Sequence, residues 1–202
     1  MALADWTELN DALDANTLRR GVIDAGAVAG GAPNGGGSFI YGFNSLAAGA
    51  GAAGLFVSDV NFAPNGFGAS VKGCVKRGPS GGPTGWSPFL FLAAQGPSVL
   101  DNGYLLGLED DDPHKIILRK GRLADGVPSD EAGDVLRSST ASFANNTWLH
   151  LRIDLTVNEN GDVVIRVFQN DLTVNDVTAP VWAAINGMGE FVDDALGINS
   201  GS

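Results

Sequence analysis

The stretch Trp148-Leu-His-Leu-Arg-Ile-Asp-Leu-Thr-Val-Asn-Glu-Asn-Gly-Asp-Val-Val-Ile-Arg-Val-Phe168 decides the fold class. Leu149, Leu151, Ile153 and Leu155 recur every second residue, and Trp148, His150, Arg152 and Asp154 occupy the alternate positions. A period of two puts successive side chains on opposite faces of an extended chain, so one face is apolar and the other polar. Asn158-Glu-Asn-Gly161 then supplies a reversal ending in Asn-Gly, the strongest short hairpin signal, and Val163 to Gln169 reads as the returning strand.

The same period extends through the chain on either side. Phe39, Tyr41 and Phe43 alternate with Ile40 and Gly42, and Val71, Gly73 and Val75 alternate with Lys72, Cys74 and Lys76. Leu55–Val57, Phe89–Ala94, Tyr104–Leu108, His114–Lys120 and Phe191–Ile198 read as further strands, with the acidic turn Glu109 to Pro113 between two of them. Ten or eleven short strands separated by turn residues predict an all-β, two-sheet antiparallel sandwich or jelly roll over residues 38–202. Residues 1–37 read differently. Trp6, Leu9 and Leu13 fall at i, i+3 and i+7 after a capping Asp5, with Arg19, Arg20 and Gly21 placed to end a helix. A short N-terminal helix is therefore expected, followed by a flexible Gly/Ala-rich arm over residues 24–37. The helix stripe is too short to stand alone, so Trp6, Leu9 and Leu13 are candidate contacts with the sandwich or with a neighbouring subunit.

Composition narrows the function. The 202 residues hold 23 acidic and 12 basic side chains, a net charge of −11, which opposes direct binding to nucleic-acid phosphates. The basic groups Lys72/Lys76/Arg77 and Lys115/Arg119/Lys120/Arg122 lie in alternating stretches that read as solvated strand faces. Only 17% of residues are charged where about 25% is usual, and 29 are glycine; a weakly charged, turn-rich chain suits burial in an assembly. One cysteine, Cys74, gives no disulfide framework within the chain and reads as a small buried hydrophobe. No signal peptide is expected from Met1 onward, and no run approaches the ~20 apolar residues that span a bilayer.

Candidate chemistry is sparse. A glycosidase needs two carboxylates paired across a sugar, and no strand carries alternating Asp or Glu; Glu131 and Asp134 are wrongly spaced, so no catalytic residues are expected. His150 lies on a polar strand face, where a cross-strand hydrogen bond is its default role, and neither it nor His114 has a partner at zinc spacing. Asp110, Asp112, Asp130 and Asp134, with Asp111, Asp125 and Glu131 nearby, are loop carboxylates of the type that hold calcium, or simply solvated acids. Glycan binding needs an exposed aromatic beside amide or carboxylate groups. Trp86, in a Pro- and Gly-rich loop, is the first candidate, and Tyr104 with Asn102 the second; for Trp86 the competing role is packing under that loop or at a subunit contact.

The segments Tyr104-Leu-Leu-Gly-Leu-Glu109, His114-Lys-Ile-Ile-Leu-Arg-Lys-Gly121, Trp148-Leu-His-Leu-Arg-Ile-Asp-Leu155, Gly161-Asp-Val-Val-Ile-Arg-Val-Phe168 and Phe191-Val-Asp-Asp-Ala-Leu-Gly197, in that order, resemble concanavalin A-like lectin/glucanase (laminin-G-like) jelly rolls. Gly36-Gly-Ser-Phe-Ile-Tyr-Gly-Phe-Asn-Ser-Leu46 and Lys76-Arg-Gly-Pro-Ser-Gly-Gly-Pro83 are similar to virion structural proteins of tailed bacteriophages. These resemblances imply a non-enzymatic virion protein made in the host cytoplasm. Its expected role is capsid decoration (cement), as a homo-oligomer such as a trimer, with capsid or tail subunits as partners. A carbohydrate-binding tail or fibre module is the alternative they imply.

Overall fold

A computed structural model describes residues 6–8, 18–24, 33–35, 39–45, 56–58, 69–76, 89–92, 102–109, 113–122 and 135–194. Among them are thirteen strands and no helix: β1 (Trp6–Glu8), β2 (Leu18–Asp24), β3 (Phe39–Ser45), β4 (Phe56–Ser58), β5 (Ala69–Val75), β6 (Phe89–Leu92), β7 (Asn102–Leu108), β8 (His114–Arg122), β9 (Val135–Phe143), β10 (Leu149–Val157), β11 (Val163–Asn170), β12 (Trp182–Ala184) and β13 (Phe191–Asp193). Two antiparallel sheets carry the fold. One has the order β12-β11-β10-β5, with β13 also on β11; the other has the order β6-β7-β8-β9. β1 pairs with β4 and β2 with β3 as separate two-stranded ribbons.

The inward faces of the two sheets meet in one core. β10 contributes Leu149, Leu151, Ile153 and Leu155, and β11 contributes Val163, Ile165 and Val167. From the other sheet come Tyr104, Leu106 and Leu108 of β7 and Ile116 and Leu118 of β8, so the two described sheets pack as a β-sandwich. The predicted inward phase of β10 holds from Leu149 to Leu155: Leu149, Leu151, Ile153 and Leu155 are at most 2% exposed, while Arg152 and Asp154 between them are half-buried. The hairpin after it is a three-residue loop with a bulge. Gly161 N–H donates to Asn158 O, Asn158 N–H donates to Asp162 O, and Gly161 sits at φ +88°. Asn158 staples this turn through Oδ1, which accepts from the backbone N–H groups of Asn160 and Asp162.

The expected N-terminal helix is overturned wherever its residues are described. Trp6 opens β1, and Leu18, Arg19, Arg20 and Gly21 lie inside β2, in register with Ser45, Asn44, Phe43 and Gly42 of β3. For Leu18–Asp24, pairing with β3 satisfies a full row of backbone groups that the end of a short helix would leave open. Leu9 and Leu13 lie outside the described residues. The expected flexible arm is tied down at its described part, because Asn34 donates from Nδ2 to Asn175 O and accepts from Val177 N–H.

The basic stretch of β8 is not the solvated face expected of it. Lys120 shares the inward phase of Ile116 and Leu118, and Arg119 is 5% exposed on the other face beside Leu105 and Ile117, at 5% and 2%. Both faces of β7 and β8 are therefore buried. A turn from Ile185 to Met188 puts both of those side chains into the core, and its Asn186 carbonyl accepts from Thr140 N–H of β9. Gly187 in that turn has φ +88°, and a Cβ there would lie 2.7 Å from Ser138 O and 2.8 Å from Thr140 N. Gly187→Ala should cost about 2 kcal/mol, read as a fall in the denaturant midpoint, because the strained φ and the backbone clash act together.

Candidate functional site

The outward face of the five-stranded sheet gathers side chains with binding chemistry. Pairing places Cys74, His150, Asn170 and Trp182 in one cross-strand row, and Lys72, Arg152, Phe168 and Ala184 in the next. Asp154 lies between Ser70 and Arg166 in a third row. Beyond the first row Lys76 Nζ sits 4.8 Å from the centre of the Trp148 ring, a cation–π contact.

Arg152 organises the middle of this face. Its Nε and Nη2 donate to Asp154 Oδ1 and Oδ2, each at 2.6 Å, in a two-pronged pair along one strand. The guanidinium carbon lies 5.5 Å from the Phe168 ring centre and 5.9 Å from that of Trp182. Trp182 meets His150 edge-on, with centroids 4.6 Å apart at 61°. The Cys74 thiol is pushed up to about 11 by burial, away from the thiolate form that reacts.

His150 makes the cross-strand hydrogen bond expected of it, to Asn170, and the partner is informative. Asn170 is fully buried. Its Oδ1 accepts from Val181 N–H at 3.0 Å, and its Nδ2 donates to Asp176 O at 3.0 Å and to His150 Nδ1 at 3.2 Å. One amide thus fastens the strap 171–181 to the sheet. The strap is braced further by two Asp-x-Thr turns. Asp171 Oδ1 accepts from the hydroxyl and N–H of Thr173, and Asp176 Oδ1 accepts from the hydroxyl and N–H of Thr178 and from Ala179 N–H. These bonds, led in each case by the threonine hydroxyl, hold both carboxyls below the usual carboxylate range.

The sequence-expected site residues are distributed elsewhere. Tyr104 is fully buried and presents no ring face to a sugar; its hydroxyl donates to Asp193 Oδ2 at 2.6 Å, and the same oxygen takes Lys120 Nζ at 2.6 Å. This cluster joins β7 and β8 of one sheet to β13 of the other. Arg137 reinforces it over the ring of Phe191, 4.7 Å from the centre. Asn102 opens β7 opposite Arg122. Trp86 and the calcium candidates Asp110, Asp112, Asp130 and Asp134 lie outside the described residues, as do Asp111, Asp125 and Glu131. Among the described residues no three His, Cys, Asp or Glu side chains gather as metal ligands, and no helix is long and apolar enough to cross a membrane.

Sequence reasoning placed His150, Arg152 and Asp154 on one face but missed Phe168, Asn170 and Trp182. The available signal was the pair of Asp-x-Thr turns, Asp171-Leu-Thr173 and Asp176-Val-Thr178, which mark a structured strap rather than a plain loop. Comparison of the chain with protein-family models, with curated proteins and with solved structures finds no match.

Proposed function

We propose that the chain is a non-enzymatic structural protein of a bacteriophage virion, a concanavalin A-like jelly roll that decorates the capsid as a homo-oligomer. In this reading the outward face of the five-stranded sheet is its contact surface. One observation carries that assignment: Trp148, Phe168, Trp182, His150 and Arg152 share a face on which Arg152 is paired with Asp154 and His150 Nδ1 with Asn170. Tryptophan, phenylalanine and arginine are the residue types enriched at the centres of protein interfaces. A protein surface can cover such groups without stranding buried donors or acceptors, which would each cost about 1–3 kcal/mol.

A sugar suits this face less well, because its hydroxyls need uncommitted polar partners and Arg152, Asp154 and His150 Nδ1 are engaged. The half-buried Trp148 and Trp182 nevertheless support the second reading, a glycan-recognising tail or fibre module, since each offers part of an indole for stacking.

The test is sedimentation of the purified chain with particles assembled without it. Wild type should co-sediment, and a Trp182→Ala, Lys72→Glu double variant should bind at least about tenfold more weakly. Undiminished binding by the variant would remove this face from the contact. Particles that never bind the chain, combined with Trp182-dependent retention on host surface glycans, would replace decoration with the glycan reading.

A further inference from the structure

The bonding of Asn170 determines the protonation state that His150 must have. Oδ1 of Asn170 is fixed by Val181 N–H, and Nδ2 by Asp176 O, so the amide cannot be turned over without facing oxygen to oxygen and N–H to N–H. Nδ2 is therefore the group directed at His150 Nδ1, and the imidazole must accept there, with its proton on Nε2. An imidazolium carries hydrogen on both nitrogens and cannot accept.

From this we infer that the His150–Asn170 pair is an acid-sensitive latch: protonation of His150 releases the strap 171–181 from the outward face of the sheet and loosens the adjoining β12 at its edge. The inference stands whether the face meets a capsid protein, a glycan or something else, since it rests on the latch alone.

The surroundings favour release over accommodation. On the elements packed around the ring, the charged or titratable groups are Lys72 and Cys74 of β5 and Lys76 just after it, over the Trp148 ring, Arg152 and Asp154 of β10, Arg166 of β11, and Asp171 and Asp176 of the strap; β12 supplies the neutral Trp182. Asp154 is committed to Arg152, and Asp171 and Asp176 to their threonine turns. Arg166 pairs with Glu190. Burial first and the charge of Lys72 second hold the imidazole below its ordinary value of 6.5. With the strap open the burial part of that penalty is relieved while Lys72 stays in place on β5, so the open state binds the proton more readily. Closure is then fully supported above pH 6.5 and loses support as the pH falls through the lower, closed-state value.

The experiment is amide hydrogen exchange on the intact chain at about pH 7.5 and about pH 5, corrected for intrinsic rates. The Val181 amide should lose at least about tenfold of its protection at the lower pH, while Ile153 of the central strand keeps its own. His150→Gln should remove that dependence. Lys72→Glu, at an exposed position, should raise the pH at which the strap opens. The latch is refuted if Val181 protection is flat in wild type, if it falls equally in His150→Gln, if it falls only together with Ile153, or if Lys72→Glu leaves the opening pH unmoved.

Discussion

Leu151→Ala should lower the unfolding free energy by about 4 kcal/mol, toward the upper end of the range for buried leucines. Leu151 is 0% exposed and lies in β10, where it is in register with β11 on one side and with β5 on the other. A strand held on both edges cannot move inward to fill the space left by three lost carbons, so the cavity persists and its cost adds to the lost transfer energy. The chain beside it gives little help, since its register partner on β5 is Gly73, with no side chain to lean over. Thr156→Ala, a truncation on the opposite face of the same strand, should change stability by no more than about 0.5 kcal/mol. Both effects are read as shifts in denaturant midpoint at constant m. A loss under about 1 kcal/mol at Leu151 would mean that the inward phase of β10 is misassigned.

That phase was legible in the sequence because one side chain in two was apolar over four consecutive repeats, Leu149 to Leu155. The turn was legible as well, since Asn158, Asn160 and Gly161 each have a local task. What escaped depended on partners distant in sequence. Leu18-Arg-Arg-Gly-Val-Ile-Asp24 has no alternation of its own and becomes a strand against β3, a partner whose far end is Ser45. Lys120 looked like a surface lysine because nothing near it in sequence announces Asp193, which lies 73 positions away. Tyr104 looked like an exposed aromatic for the same reason. Trp182 sits in a strand of three residues, too short to show a period, and Asn170 ends β11 where an asparagine ordinarily signals only a turn. Half of the candidate site, His150 with Arg152 and Asp154, was therefore visible from one strand. The other half required knowing that β12 returns beside β11.

The buried carboxylate of Asp193 should prove nearly as costly to remove as Leu151. Asp193 is 6% exposed, and its Oδ2 receives both the Tyr104 hydroxyl and the Lys120 ammonium, linking the two sheets through the edge of the core. Asp193→Ala takes away an acceptor of a fully buried hydroxyl and a counter-charge of an ammonium at once. Loss of one member of a buried ion pair costs about 3–5 kcal/mol. The Lys120 side chain is 26% exposed and can turn its head toward water, so about 3 kcal/mol is expected here. Tyr104→Phe removes the charge-assisted hydrogen bond to Asp193 and should cost about 1.5 kcal/mol. The two changes act on one interaction, so the double variant should be more stable than their sum by about 1 kcal/mol or more. Denaturant unfolding of the four proteins measures that coupling directly. Strict additivity would show that the tyrosine hydroxyl and the carboxylate stabilise the sandwich separately, and that β13 is held to the second sheet by Phe191 under Arg137 instead.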